Sequence, residues 1–587
     1  MLLIFGFIAL TIVVLSGFGA ALSGGRQTSD RSFFDLAILG LLLVSAIGLI
    51  ANFFLPLRPY LVITTAAIGI VCFALHRRLL WRSLGPRPAA VLAVLAAILA
   101  MDSVGALITP LSYDTGLYHL QLIEWLEHSP KIFGLVNLHS RFGVNSIWFL
   151  AVSMFDFVRE GHEGIFLVNA TLFTVVIGAL LQPILAGSPR EPAARVTNLR
   201  IANLYAVIVA GVLLVNAATI MFNQLFAGPE NDLPAALLVI YAFCVFLRIF
   251  EADGDRQSPL VQLLVVSVLA VMIKITTAPV LLLLPVAGYL VIGTDRPRMV
   301  ELARDPVLIC LLVVGIAWIA AGLISSGCIA FPVGSSCIAA LPWTPPIAEI
   351  RQFASLVTAW GRSPNEHFRE AATGWAWLKD WPSVMLAHRP FIPAASWSLA
   401  IAAGIGIAGA LADRFLLKAK RLDRPAGAGI GVIGYAILVA CLGNLFWFLA
   451  APDPRFGIGF LLALPALVIA AGTQALSADD PTIRFLVGRR LLVLFVFVCA
   501  GLFVRDLRVV AFQAAKSWPS IPYVPVAEQD FGPSFRVNVP ISGDQCWDAP
   551  QPCAPGRGPE AAPLSERKFL LWEFIEPEAA ASPPPAK

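Results

Sequence analysis

Apolar residues occupy long, uniform blocks along this chain, and short polar connections separate the blocks. A helix needs about 20 apolar residues to cross the hydrocarbon of a bilayer. On that measure fourteen spans are predicted, at 1–22, 33–54, 60–75, 89–109, 163–186, 199–222, 233–250, 258–274, 278–293, 305–324, 396–417, 428–449, 457–476 and 489–505. Backbone groups in lipid must bond within their own segment, so helices are the expected spanning form. The predicted fold is all-α: a polytopic transmembrane bundle over 1–505, followed by a tail at 506–587.

Basic residues in the short connections orient the bundle, because cytoplasmic loops carry the excess of Lys and Arg. One alternate set of loops holds Arg77, Arg78, Arg82 and Arg87; Arg190, Arg195 and Arg200; Arg296, Arg298 and Arg304; Lys418, Lys420, Arg421 and Arg424; and Arg484, Arg489 and Arg490. The short loops opposite hold chiefly Arg58 and Arg455. With fourteen spans, both termini lie outside, as do the loops 110–162 and 325–395 and the tail. The expected location is a bacterial inner membrane. Residues 145–158 are apolar but too short to cross, and counting them as a span would put the 190–200 arginines outside. They are predicted to form an interfacial helix.

Composition sharpens this picture. The chain is 58% hydrophobic and 13% charged, about half the charged fraction of a soluble protein. Its net charge of +4 is spread over cytoplasmic loops and argues for no nucleic-acid partner. Residues 1–22 lack the basic start and small-residue cleavage site of a signal peptide, so they read as a retained helix. The tail is rich in Pro and Gly, and 575–587 is expected to be disordered.

Of the nine cysteines, Cys72, Cys244, Cys310, Cys441 and Cys499 lie in or beside spans. The other four form two close pairs in outside regions, Cys328 with Cys337 and Cys546 with Cys553. Neither spacing matches the short hooks of zinc sites. In an oxidising compartment two local disulfides are expected, with free thiols as the alternative.

Polar residues with chemical potential gather in the outside loops. The first loop carries Asp114 just past the fourth span, then His119, Gln121, Glu124 and His128, then Arg141 within Asn137–Asn145. Read as a helix from Thr115, it places Tyr118, Leu122, Trp125 and Leu126 on one apolar stripe. Such a helix would lie flat on the membrane or roof a cavity. Asp114 reads as a catalytic carboxylate or a helix N-cap. His119, on the apolar side, reads as a buried hydrogen-bonded histidine or a functional one. Asp102, inside the fourth span, is a functional candidate or a group paired within the bundle.

Glu230 and Asp232 stand in a turn expected at the outer surface, where they could serve a cation, sugar hydroxyls or the cap of the next helix. Lys274 ends the eighth span as an interface anchor or a ligand for a lipid phosphate. Arg455, in Ala451-Pro-Asp-Pro-Arg-Phe-Gly457, breaks the basic-poor pattern of the outer loops. It offers a bidentate fork for phosphate, or pairs with Asp453. Trp375, Trp377 and Trp381 suit sugar faces or a membrane-interface belt.

The Tyr113-Asp114 loop after a membrane span, the flat helices behind it and the large late outer loop resemble GT-C membrane glycosyltransferases. YDTGLYHLQ, GPENDLPAALL and APDPRFG together also resemble a group of bacterial multi-pass membrane proteins. The GT-C resemblance implies a polyprenyl-phosphate sugar donor and a glycan, lipid or protein acceptor at the outer leaflet. It puts Asp114 in the base position and Lys274 and Arg455 at the donor phosphate. Arg141, His119, Glu230 and Asp232 join them as candidate substrate-binding residues. A divalent cation is left open: Thr115 follows Asp114 where many of these enzymes carry a second acid. The alternatives are a transporter or flippase of lipid-linked glycans, which would place polar groups at mid-membrane, and a non-catalytic envelope-assembly subunit.

Overall fold

The computed structural model describes residues 2–24, 31–108, 112–157, 163–186, 201–217, 225–226, 228–251, 255–293, 296–364, 368–388, 395–397, 399–404, 427–476, 521–530, 536–554, 564–569 and 572–577. Helices occupy the apolar blocks, as expected where backbone groups must be satisfied within a segment. Among the described residues eight helices are long and apolar enough to cross a membrane, or nine if the bent pair Pro59–Leu75 and Arg77–Ser83 is one span. Shorter apolar helices stand at Pro88–Ser103, Ile201–Asn216, Gln257–Ile273 and Ala395–Gly404. The expected span at 489–505, and the basic groups at 190–200, 418–424 and 484–490, lie outside the described residues.

The centre of the bundle is the helix Asp232–Glu251, buried over nearly its whole length. It packs against the helices Gln257–Ile273, Pro454–Leu476, Val168–Ala186 and Ile201–Ala217. Side chains buried this completely lose lipid contact, so the packing is set by shape rather than by water exclusion. Small residues permit the closest crossing. The helices Leu2–Leu22 and Phe33–Asn52 meet where Gly19 and Gly40 face the backbones of Leu36 and Leu15, leaving no room for a side chain.

The first outer loop is tied down by helix ends. The Lys131 amide donates to the Asn52 carbonyl (2.7 Å) and the Gly134 amide to the Ile324 carbonyl (2.9 Å). These bonds satisfy carbonyls left unpaired at the ends of the helices Phe33–Asn52 and Pro306–Ser326.

Two expectations are corrected, at 145–158 and at the end of the tail. Residues 145–157 do not form a surface helix: they contain a short helix, Ile147–Ser153, whose every residue is buried. Its Trp148 indole donates to the Asn169 side chain (2.9 Å), so its aromatic groups are spent on protein contacts. The chain is mostly helical, as expected of an all-α membrane bundle, and the tail adds two short antiparallel hairpins. Val526–Asp530 pairs with Arg536–Pro540, and Leu564–Phe569 pairs with Trp572–Pro577. The last strand reaches into the stretch expected to be disordered, of which 578–587 lie outside the described residues. The helix Leu120–His128 turns its apolar stripe, Leu122, Trp125 and Leu126, to a cleft. The tail covers part of its polar face, where the Gln121 amide donates to the carbonyls of Trp547 (3.0 Å) and Ala549 (2.8 Å).

Candidate functional site

Four segments, far apart in sequence, bring their charged residues to one end of the bundle. The first is the loop around Asp114. A wide turn of π type at Thr115–His119 leads into the helix Leu120–His128 and aims both Asp114 and His119 inward. Such turns recur at functional sites because they re-aim side chains within a helix. The second is the turn at Glu230–Asp232, gripped from behind by Asn169, whose amide donates to the carbonyls of Leu225 (2.6 Å) and Glu230 (2.8 Å). The third is Lys274, an extended residue between the helix Gln257–Ile273 and the turn beginning at Ile275. Ser146 (2.7 Å) and Asn231 (3.3 Å) both donate to the carbonyl of Ile273, holding that break in place.

The fourth segment is Asp453-Pro454-Arg455. Pro454 presets the first turn of its helix, and the Asp453 carboxylate accepts from the Arg455 amide (3.1 Å) as a cap. The late outer loop fastens this turn. Thr358 donates to the Ala450 carbonyl (2.8 Å), and the Trp381 indole to that of Pro452 (3.1 Å). Trp381 thus supports the site's framework, and Trp377 stacks with Trp375 beneath Arg362.

At the centre stands the Arg455 guanidinium. Its Nη1 donates to Asp114 Oδ2 at 2.8 Å, and its Nε lies 3.7 Å from Asp232 and 3.6 Å from Asp453. Lys274 pairs with the other oxygen of Asp232 and sits 3.8 Å from the centre of the Phe456 ring. Of the alternatives offered for Arg455, the pair with Asp453 is present, but its shortest ion pair is with Asp114. Arg141 stands over the Tyr118 ring at 5.5 Å and adds to the positive field at Asp114. Glu230 and Asp232 are not at the surface as expected; they are 2% and 5% exposed. Asp102 does not join the cluster. It is buried and accepts from the Thr174 hydroxyl.

Electrostatics divide the acids into two kinds. Burial favours the neutral form of Asp114, but Arg455 and Arg141 outweigh it and hold the carboxyl well below its usual range. Glu230 is raised to about 8 by burial and by the negative charges of Asp114 and Asp232. It accepts from the Ser112 hydroxyl and lies 3.5 Å from His119 Nδ1. Burial lowers His119 to about 3, so its ring is neutral at pH 7. The site thus holds an ionised acid beside a guanidinium and a protonated acid beside a neutral imidazole. One can accept a proton; the other can give one up.

Among the described residues no group of three or more His, Cys, Asp or Glu side chains is arranged to hold a metal ion. The carboxylates that would ligate a divalent cation are turned toward Arg455 and Lys274, so these residues do not fit one in this arrangement.

The tail closes one side of the cluster. Cys546 and Cys553 form a disulfide, as do Cys328 and Cys337. The loop within 546–553 docks on the 113–121 segment. The Trp547 amide donates to the Gly116 carbonyl (3.0 Å), Gln545 donates to the Tyr113 carbonyl (2.9 Å), and the Tyr113 hydroxyl donates to Asp544. Gly116 faces the Trp547 indole so closely that a methyl group would overlap it. Trp547 itself has a φ of 49°, which costs a non-glycine residue roughly 1–2 kcal/mol. Neither this cap nor the role of Ser112 was visible in the sequence. The closely spaced Cys546 and Cys553 were the one signal that part of the tail is ordered.

No curated protein matches this chain. A family model described as a domain of unknown function, DUF8201, matches residues 1–462, a stretch that contains every member of the ionic cluster and ends before the capping loop. The chain belongs to the DUF8201 family.

Proposed function

We propose that this chain is a membrane glycosyltransferase that moves a sugar from a polyprenyl-phosphate donor to a hydroxyl acceptor at the outer leaflet. One observation carries the reading. Lys274 and Asp232 line one small cleft with Ala235, Ala236, Val239, Phe456 and Phe460. A lysine beside an apolar wall suits a phosphate joined to an isoprenoid chain. Arg455 and Asp114 lie on the far side of Asp232.

In this reaction the acceptor oxygen attacks the anomeric carbon and forms the new glycosidic bond. The bond from that carbon to the donor phosphate oxygen breaks, and the lipid phosphate leaves with the electron pair. Lys274 and Arg455 stabilise that charge as it develops. The acceptor's proton passes to Asp114. In the free protein Asp114 is a poor base because Arg455 holds it ionised. A donor phosphate that draws Arg455 away would raise the carboxyl toward its ordinary range, so that base strength appears only with donor bound.

The proposed setting is a bacterial inner membrane with both termini outside. Parity supports this arrangement. Asp114, Glu230, Lys274 and Arg455 share one cluster, so an even number of crossings separates each pair. Two long apolar helices, Val168–Ala186 and Ile201–Ala217, stand between Asp114 and Glu230, and two, Asp232–Glu251 and Gln257–Ile273, between Glu230 and Lys274, as fourteen spans require. A transporter of lipid-linked glycans is the second reading, favoured by the extended break at Lys274, since interrupted helices mark transport sites.

The test is sugar transfer from a polyprenyl-phosphate donor by purified protein in lipid. Asp114→Asn should fold and should lose about 10²–10⁴ in rate. Full activity in that variant would remove Asp114 as the base. Donor movement across the bilayer without any transfer would favour the transporter.

A further inference from the structure

A second cleft lies on the opposite side of the helix Leu120–His128 from the capping tail. It is lined by Leu122, Leu126, Leu135, Phe142, Phe149 and Leu150, among others. Phe149 separates it from the ionic cluster: its ring also packs on that of His119, 5.1 Å away. The cleft sits where the helices Phe33–Asn52 and Pro306–Ser326 end, at Asn52 and Ser325, both of which line it.

Its polar groups divide sharply. Asn145, Ser146 and Ser325 donate to the backbone carbonyls of Trp318, Ile273 and Ala321. Three others are unspent. The Trp125 indole N–H and Asn52 Oδ1 are buried with no hydrogen-bond partner, although the Asn52 amide donates to Leu126 (3.2 Å) and Ser129 (3.1 Å). Lys131 is half-buried, and its ammonium has no carboxylate or carbonyl partner among the described residues. A buried donor or acceptor left unpaired is costly, so these two, with the unpaired ammonium of Lys131 beside them, point to a ligand that completes them.

We infer that this cleft binds an anionic phospholipid with a hydroxylated head group. The phosphate accepts from Lys131 and Trp125, a head-group hydroxyl donates to Asn52 Oδ1, and the first carbons of the acyl chains lie on the leucine and phenylalanine wall. The complementarity is specific. A zwitterionic choline head brings no hydroxyl for Asn52 and sets a second cation near Lys131. Burial lowers Lys131 to about 8, so it is still largely charged at neutral pH and available to an anion. The inference concerns binding alone and does not depend on transfer chemistry in the ionic cluster.

The experiment uses the full chain, purified in detergent. Phosphatidylglycerol, phosphatidylcholine or glycerol 3-phosphate is added, and bound lipid is counted by native mass spectrometry beside thermal melts. Phosphatidylglycerol should be retained and should raise the melting temperature, whereas phosphatidylcholine should do neither. Lys131→Met should weaken phosphatidylglycerol retention at least tenfold without lowering the melting temperature of the lipid-free protein, because no partner of Lys131 is lost. Trp125→Phe, which keeps the ring and removes the N–H, should weaken retention by a smaller factor. Equal retention by the parent and both variants would overturn the inference, as would equal retention of phosphatidylcholine. A shift from glycerol 3-phosphate as large as that from the lipid would overturn the lipid assignment.

Discussion

The Arg455 guanidinium reaches the Asp114 carboxylate at 2.8 Å across 341 positions of sequence. Between them lies most of the bundle, so this contact reports whether the first outer loop and the 451–457 turn are correctly docked. Arg455 also faces Asp232 and Asp453, so its removal takes the closest cation from Asp114 and weakens the field on the other two acids. Breaking a buried ion pair by deleting one partner typically costs about 3–5 kcal/mol. Arg455→Ala should therefore lower stability by that order in a melt or denaturant titration. Arg455→Lys keeps the charge without the fork and should fall between the two. An Arg455→Ala protein as stable as the parent would show that the cluster does not hold the loop.

Glu230 supplies a pH signature. Its carboxyl is raised to about 8 from an ordinary 4.5, so the folded chain binds a proton that the unfolded chain has lost. Stability from this group is unaffected below about pH 4.5, falls as pH rises through the window up to 8, and is level above it. Glu230→Gln carries no such proton. Its stability relative to the parent should rise across that window at up to about 1.4 kcal/mol per pH unit. Parallel melting curves at pH 5 and pH 8 would contradict the assignment.

The cap formed by the tail can be loosened without touching a charged residue. Gly116→Ala puts a methyl group into the space of the Trp547 indole and should release the 544–551 segment. Limited proteolysis should then cut within 541–554 several-fold faster, while the melting temperature of the bundle changes little. Reduction of Cys546–Cys553 should act in the same direction. Unchanged cleavage in both cases would mean that other contacts hold the segment.

The topology has a direct check. In a chain whose other free cysteines are replaced, Arg87→Cys and Glu370→Cys should react with an impermeant maleimide from opposite sides of the membrane. Labelling of both from one side would refute the fourteen-span arrangement.

Much of the site could be read from the sequence for one physical reason: ionisable residues are costly beside an apolar bundle and stand out there. Asp114, Glu230, Asp232, Lys274 and Arg455 were all singled out this way. Their mutual pairing was not legible, because nothing local to Arg455 specifies a partner 341 positions away. Periodicity misled at 145–158. An apolar stripe shows that a face is covered, not whether lipid or protein covers it. Trp125 was read only as part of an apolar stripe and Lys131 sits singly in a loop, and only the fold shows that they share a cleft with Asn52. The tail's hairpins escaped notice because Pro and Gly mark turns as readily as disorder.

The long separations within the site also set a timetable. Chains are made from the N-terminus at about 5–20 residues per second, so Arg455 follows Asp114 by roughly 20–70 s of synthesis. Trp547, 426 positions after Gln121, arrives later still. During that interval the first outer loop has neither its cation nor its cover. The nascent chain must therefore carry Asp114 without Arg455 until position 455 is made and Gln121 uncovered until position 547 is made, and any premature stop before Arg455 yields a bundle whose site never closes.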